Sequence, residues 1–378
     1  MLRDKGEPII HLGGGEPKSK APLDAILNCA ALLNTGEIRY TAPRRGRPEE
    51  GHHPLHRRAL QKAGFGRQRD RLRRRQAITH GPAPYWVSYP EMVKLAGGVP
   101  VPVTAEDGTF FPTVKEIAAA AGSNTKAIIL NSPNNPSGVM YSKDFIQEMI
   151  EFCEKKNLYL IMDDIYNRLV FDGKSAPICY DFAKAPLEES KLVVIKGVSK
   201  MYAMTGFRIG WAIATKPLIE AMTTIQSQQT SGPASPAQWA AVGALNGVQS
   251  SIESLRVTLE NNRNIMIDRL KAFDGIKVHN PNGTFYCFPD FSTYMKDSQK
   301  LSTLLLDKVR VVTVPGKEFG FEGHLRLSYC GTIRDITEGL DRIKWALDPN
   351  SANELYLGDR KLVRGLISTS TLTSNLPR

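Results

Sequence analysis

From residue 126 onward, short runs of β-branched and aliphatic residues alternate with stretches of helical period. This is the pattern of a largely parallel sheet whose strands are joined by helices. Residues 126–130 (Lys-Ala-Ile-Ile-Leu) predict a buried strand stopped by Asn131-Ser132-Pro133-Asn134-Asn135-Pro136. Residues 145–155 place Phe145, Met149, Ile150 and Cys153 at helical spacing. Strands are predicted at 158–162, ending on Asp163-Asp164, at 192–195 and at 208–214. A long helix over 250–272 carries Ile252, Leu255, Leu259, Met266 and Leu270 on one face. The pattern then turns to mixed α+β, with strands at 284–288 and 324–329 and a closing helix at 333–347. Beyond Leu347 the chain becomes rich in Ser and Thr and is expected to be disordered. In such sheets ligands lie in the loops after the carboxyl ends of strands, which is where Asn135, Asp163 and Lys200 fall.

A chain of 378 residues can bury a large core and a smaller second one. No apolar run approaches a membrane span, and Met1 to Pro8 lacks the apolar core of a secretory signal. The five cysteines are scattered, odd in number and never spaced Cys-x-x-Cys, which argues for a reducing compartment, the cytoplasm by default. The net charge of +11 is local. Between Arg44 and Arg75, eleven Arg and one Lys face Glu49, Glu50 and Asp70, a balance of +9 that leaves +2 for the rest. Basicity therefore says little about the partners of the fold as a whole. His52, His53 and His56 lie in this stretch, but no carboxylate or thiol completes a metal-binding set.

The stretch Ser199-Lys200-Met201-Tyr202-Ala203-Met204-Thr205-Gly206-Phe207-Arg208 sets a lysine at a strand end and an arginine eight residues later, entering the next strand. A partly desolvated lysine loses proton affinity and becomes a usable nucleophile and base. A guanidinium matches phosphate oxygens in a two-point grip. Taken alone, the pair also reads as a surface lysine beside a structural arginine. The Asn/Pro/Gly cluster at 131–138 reads equally as a turn, Asp163 as a residue that closes a strand, and Trp86 as core. Arg326, inside the apolar run Leu325-Arg326-Leu327, needs a partner when buried, and an internal salt bridge would serve.

The order Asn135, Asp163, Tyr166, Lys200, Arg208 removes this ambiguity, because it resembles the class I pyridoxal-phosphate (PLP) aminotransferases. The resemblance covers residues 7–42 and 82–347 and is nearest the bacterial aspartate branch, which carries Pro-Tyr-Trp-Val-Ser-Tyr as at 84–89. It implies an α/β fold of PLP fold type I, with a mixed, mostly parallel sheet and a small α+β domain. The large domain would span 41–270, the small one 1–40 with 271–347, and 348–378 would form the tail. Lys200 would hold PLP as a Schiff base and shuttle the proton. Arg208 would grip the phosphate, Asp163 the pyridine nitrogen, and Asn135 and Tyr166 the ring oxygen, with Trp86 stacked on the ring. Arg326 would bind the substrate α-carboxylate, with Asn135 beside it and the glycine loop around Gly14 closing over it. Tyr40 would reach the phosphate in a neighbouring subunit, making a homodimer with shared sites. Aspartate and 2-oxoglutarate are the substrates so implied.

The resemblance fails between Thr41 and Pro82. A glycine turn and helix N-terminus that would cradle the phosphate are expected there. Instead, residues 78–81 read as the end of the strand before that turn, and Pro82 starts the Trp86 segment at once. Three readings of the Arg-rich stretch stay open: a polyanion-binding arm, a solvated insert, and the product of a slip in reading frame. An alternative function follows, an impaired aminotransferase-like protein whose basic stretch binds polyanions.

Overall fold

The computed structural model describes residues 7–36, 38, 77–184, 186, 189–358 and 360–363. In chain order the elements are β1 (Ile10–His11), α1 (Leu23–Asn34), β2 (Ala77–Pro82), α2 (Ser88–Leu95), β3 (Val99–Val103), α3 (Val114–Ala120), β4 (Ala127–Asn131), α4 (Lys143–Lys155), β5 (Tyr159–Asp163), β6 (Leu192–Gly197) and β7 (Gly210–Ile213). Helices α5 (Lys216–Gln229), α6 (Ser235–Asn246) and α7 (Ser250–Lys271) follow. The remainder is β8 (Tyr286–Cys287), α8 (Ser298–Val309), β9 (Val311–Val312), β10 (Val314–Pro315), β11 (Leu325–Ser328), α9 (Ile333–Leu347), β12 (Glu354–Leu357) and β13 (Arg360–Val363).

The main sheet runs β3-β2-β4-β5-β6-β7, parallel throughout except for β7, which lies antiparallel to β6. All five residues of β4 are buried, as a central strand covered on both faces requires. Register sets Ile128 beside Leu160 and Leu160 beside Leu192. With Leu130, Met162 and Val194 these form one apolar face, packed against Ile146, Met149, Ile150 and Cys153 of α4. Ser142 starts α4 by accepting the Phe145 N–H. A second core runs from Tyr166, Val198 and Met204 through α6 and α7 to α8, β11 and α9.

Helix α7 buries the five apolar positions expected of it, and also two polar ones. Asn262 Nδ2 donates to the carbonyls of Tyr329 and Gly331 at 3.0 Å each, fastening the chain just after β11. Arg263 is fully buried, forks onto Asp172 at 2.7 and 2.8 Å and lies over the Phe171 ring.

The chain beyond Leu347, expected to be disordered, instead forms β12 and β13, an antiparallel hairpin that buries Leu357, and Trp345 Nε1 donates to the Ala352 carbonyl at 2.7 Å. Residues 364–378 lie outside the described residues. Residues 78–81 lie at the end of a strand, β2, which pairs with both β3 and β4, and the Trp86 segment follows at once, as the sequence indicated. Gly81, at φ +83°, would bring a Cβ to 2.2 Å from the Ile129 carbonyl, so only glycine lets β2 close on β4. The strand expected at 284–288 shrinks to β8, which pairs with β11.

Candidate active site

The carboxyl ends of β4, β5 and β6 deliver the predicted residues to one place. Asn131, the last residue of β4, ties two loops together. Its Nδ2 donates to the Asp163 carbonyl at 2.9 Å, and its Oδ1 accepts the Asn135 N–H at 2.7 Å. Asn134 links this loop to the Trp86 segment through the Pro84 carbonyl at 3.2 Å. The Asn-rich sequence is therefore a set of side-chain staples as well as a turn.

Lys200, after β6, donates from Nζ to the Gly15 carbonyl at 2.7 Å and lies 5.9 Å from the centre of the Phe285 ring. Burial lowers its pKa, the neighbouring Glu16 opposes the shift, and the charges of Arg326 and Arg208 add to it. Asp163, at the end of β5, accepts the Tyr89 hydroxyl at 2.5 Å. Burial raises its pKa, while the Tyr89 hydroxyl, the Ile165 N–H and the Lys200 charge all favour the carboxylate. Tyr89 is a site residue that sequence reasoning missed. It sits three residues beyond Trp86 on α2, and nothing in its spacing pointed to an aspartate 74 positions away.

Arg326 lies within β11, whose four residues are all buried. Its Nη1 donates to Asn135 Oδ1 at 3.0 Å and its Nη2 to the Gly13 carbonyl at 3.1 Å. The guanidinium lies 4.3 Å from the Tyr286 ring centre and 5.1 Å from that of Phe319. Its Nε is buried with no hydrogen-bond partner among the described residues, an unsatisfied donor whose natural partner is a carboxylate oxygen. No internal salt bridge satisfies this guanidinium among the described residues. The contacts to Lys200 and Arg326 come from the carbonyls on either side of Gly14, those of Gly15 and Gly13.

The remaining predicted residues are less uniformly placed. Tyr166 is buried, its ring edge-on to those of Phe285 and Tyr286 at 5.6 and 6.3 Å. Trp86 is 37% exposed, with its ring edge-on to Tyr89 at 5.5 Å. Arg208 is exposed, has a left-handed backbone at φ +56°, and donates to the Thr205 carbonyl at 3.0 Å. Tyr40 lies outside the described residues.

A half-buried lysine, an aspartate, an asparagine and an arginine with one unpartnered nitrogen thus converge at the strand ends of an α/β sheet. Residues 73–343 match the family model of aminotransferase class I and II. The chain belongs to that family. An aspartate aminotransferase of Streptomyces avermitilis is 34% identical over 375 residues, covering 91% of this chain and 90% of its own. An asparagine–oxo-acid transaminase of Streptococcus mutans is 37% identical over 277 residues, covering 70% and 68%. The solved aspartate aminotransferase of Thermus thermophilus with maleate superposes with a TM-score of 0.79 at 29% identity, over 92% of this chain and 94% of that one. The aminotransferase fold here is PLP fold type I, and the family's enzymes depend on PLP. The donor set suits the ring of that cofactor. Lys200 offers a desolvated amine, and Asp163 a carboxylate held in place by Tyr89.

Proposed function

We propose that the chain transaminates aspartate with 2-oxoglutarate on PLP carried by Lys200. Bound there, PLP supplies an electron sink for the pair of electrons left when the substrate Cα loses its proton. The chain's own residues do the rest. Once the substrate's amine has displaced it from the cofactor, the amine of Lys200, its basicity lowered by burial, would take the proton from Cα and deliver it to the cofactor's C4′ carbon, as general base and then acid. Asp163 keeps the proton on the ring nitrogen, with Tyr89 bracing the carboxylate. Asn135 and Tyr166 would hold the ring oxygen, Trp86 would pack on the ring and Arg208 would bind the phosphate. Arg326 takes the α-carboxylate and so fixes which bond at Cα faces the ring, with Asn135 and the loop around Gly14 completing the pocket. The observation that carries this reading is the buried Nε of Arg326 without a partner.

Aspartate is preferred on the names of the relatives, among which the Streptococcus protein extends the range to asparagine. In the same reading, 41–270 is the large domain and 1–40 with 271–347 the small one. The enzyme is a cytoplasmic homodimer with Tyr40 reaching the partner's phosphate. Among the described residues no helix is long and apolar enough to cross a membrane. The test is the visible spectrum after adding PLP, followed by borohydride and peptide mapping. A yellow species reduced onto Lys200, with turnover of aspartate, is expected. A protein that stays colourless, or a label on another lysine, overturns the reading.

A further inference from the structure

Tyr286 belongs to none of the motifs above, yet it touches most of what they assemble. It is 1% exposed. Register on the short sheet sets it opposite Ser328, so Arg326, two residues along β11, projects from the same face as its diagonal neighbour. The Arg326 guanidinium lies over its ring at 4.3 Å, an arrangement that holds the plane of the fork and leaves its edges free for oxygen. Phe319 adds a second ring at 5.1 Å. At its other end, the Tyr286 hydroxyl lies 3.5 Å from where a Cβ on Gly15 would stand, so that glycine brings its backbone close to the phenol. The same Gly15 carbonyl accepts from Lys200. The Tyr166 ring meets that of Tyr286 edge-on at a centroid distance of 6.3 Å.

We propose that Tyr286 is a positioning residue for transamination: its ring is the platform that aims Arg326 at the substrate carboxylate. This rests on the role given above to Arg326. Tyr286→Phe keeps the platform, and Tyr286→Leu removes it.

The platform is read on cofactor-free protein by calorimetric binding of succinate. Tyr286→Leu is expected to weaken succinate about tenfold, the size of one desolvated cation–π contact, and Tyr286→Phe less than about twofold. A merely structural tyrosine would lower the melting temperature and leave succinate binding unmoved.

Arg326→Ala is the control. If it abolishes succinate binding while Tyr286→Leu, still folded, binds like the parent, the platform is refuted and the role of Arg326 stands. If Arg326→Ala binds like the parent, the role of Arg326 fails and takes the platform with it. Should Tyr286→Leu not fold, Tyr286→Met, nearer the parent in volume and without a ring, is read in its place with the same two outcomes.

Discussion

Two arginines, Arg326 and Arg208, are each assigned an anion, and the structure treats them very differently. Arg326 sits in a fully buried strand between two aromatic rings, with two nitrogens engaged and one waiting. Arg208 stands exposed at the entrance to β7, satisfied by a carbonyl three residues back. Among the described residues β7 is paired on one side only, and α5, which follows it, has no buried residue. Met222 and Ile225 of that helix are 39% and 59% exposed. A charge-assisted hydrogen bond in a dry, rigid setting is worth more than the same bond made by a solvated side chain. The carboxylate end of the site is therefore preorganised, whereas the end assigned to the phosphate is open. The region where the resemblance breaks, 41–82, is the one from which further phosphate contacts were expected.

Removing the group that both ends serve should have the largest effect. Lys200→Ala is expected to lower transaminase turnover by about 1,000-fold or more, the contribution of a positioned general base, as measured in single turnovers. A variant that keeps a tenth of the activity would place the chemistry elsewhere.

Next comes the preorganised end. Arg326→Ala should raise KM for aspartate about 100-fold, since hydrogen bonds to a charged group are worth about 1.5–3 kcal/mol each. A rise of only a few-fold would mean that the buried guanidinium is structural.

Arg208→Gln sharpens the contrast from the open side. PLP affinity, measured by fluorescence titration, should fall by about tenfold or less, and the difference should shrink with added salt. A salt-insensitive loss of about 100-fold would show the two ends to be equally built and break the comparison.

The smallest effect concerns pH. Burial lowers the pKa of Lys200, so its neutral amine forms at lower pH than that of exposed lysines. On lowering the pH from about 9 to about 7, trapping of PLP by borohydride should therefore become more selective for Lys200, read by peptide mapping. Selectivity independent of pH would remove the argument for a desolvated amine.

Most elements of the sheet were legible because their signals are local. Helix α4 shows its apolar spacing and its Ser142 cap, and β4 shows a continuous apolar run that ends on asparagine. The hairpin after α9 was missed because Leu355, Leu357 and Leu362 are too few to signal a core until Trp345 and the neighbouring cluster lie beside them. Resemblance picked Asp163 over Asp164, and strand geometry supplies the physical reason. Asp163 meets Tyr89, whereas Asp164 pairs with Lys196 at 3.2 Å and, with burial as the main cause, is pushed up to about 6.

What the sequence determined by itself was the family and the order of its chemistry: a lysine, an aspartate, an asparagine and an arginine, each at the end of or within a strand that its neighbours specify. Only the tertiary structure decided which groups support them. The contacts of Tyr89 with Asp163, of Lys200 with the Gly15 carbonyl and of Arg326 with the Tyr286 ring span 74, 185 and 40 residues. No periodicity reaches across such distances. These contacts exist because packing brings the ends of separate strands together, and burial there makes each polar group depend on the partner it meets.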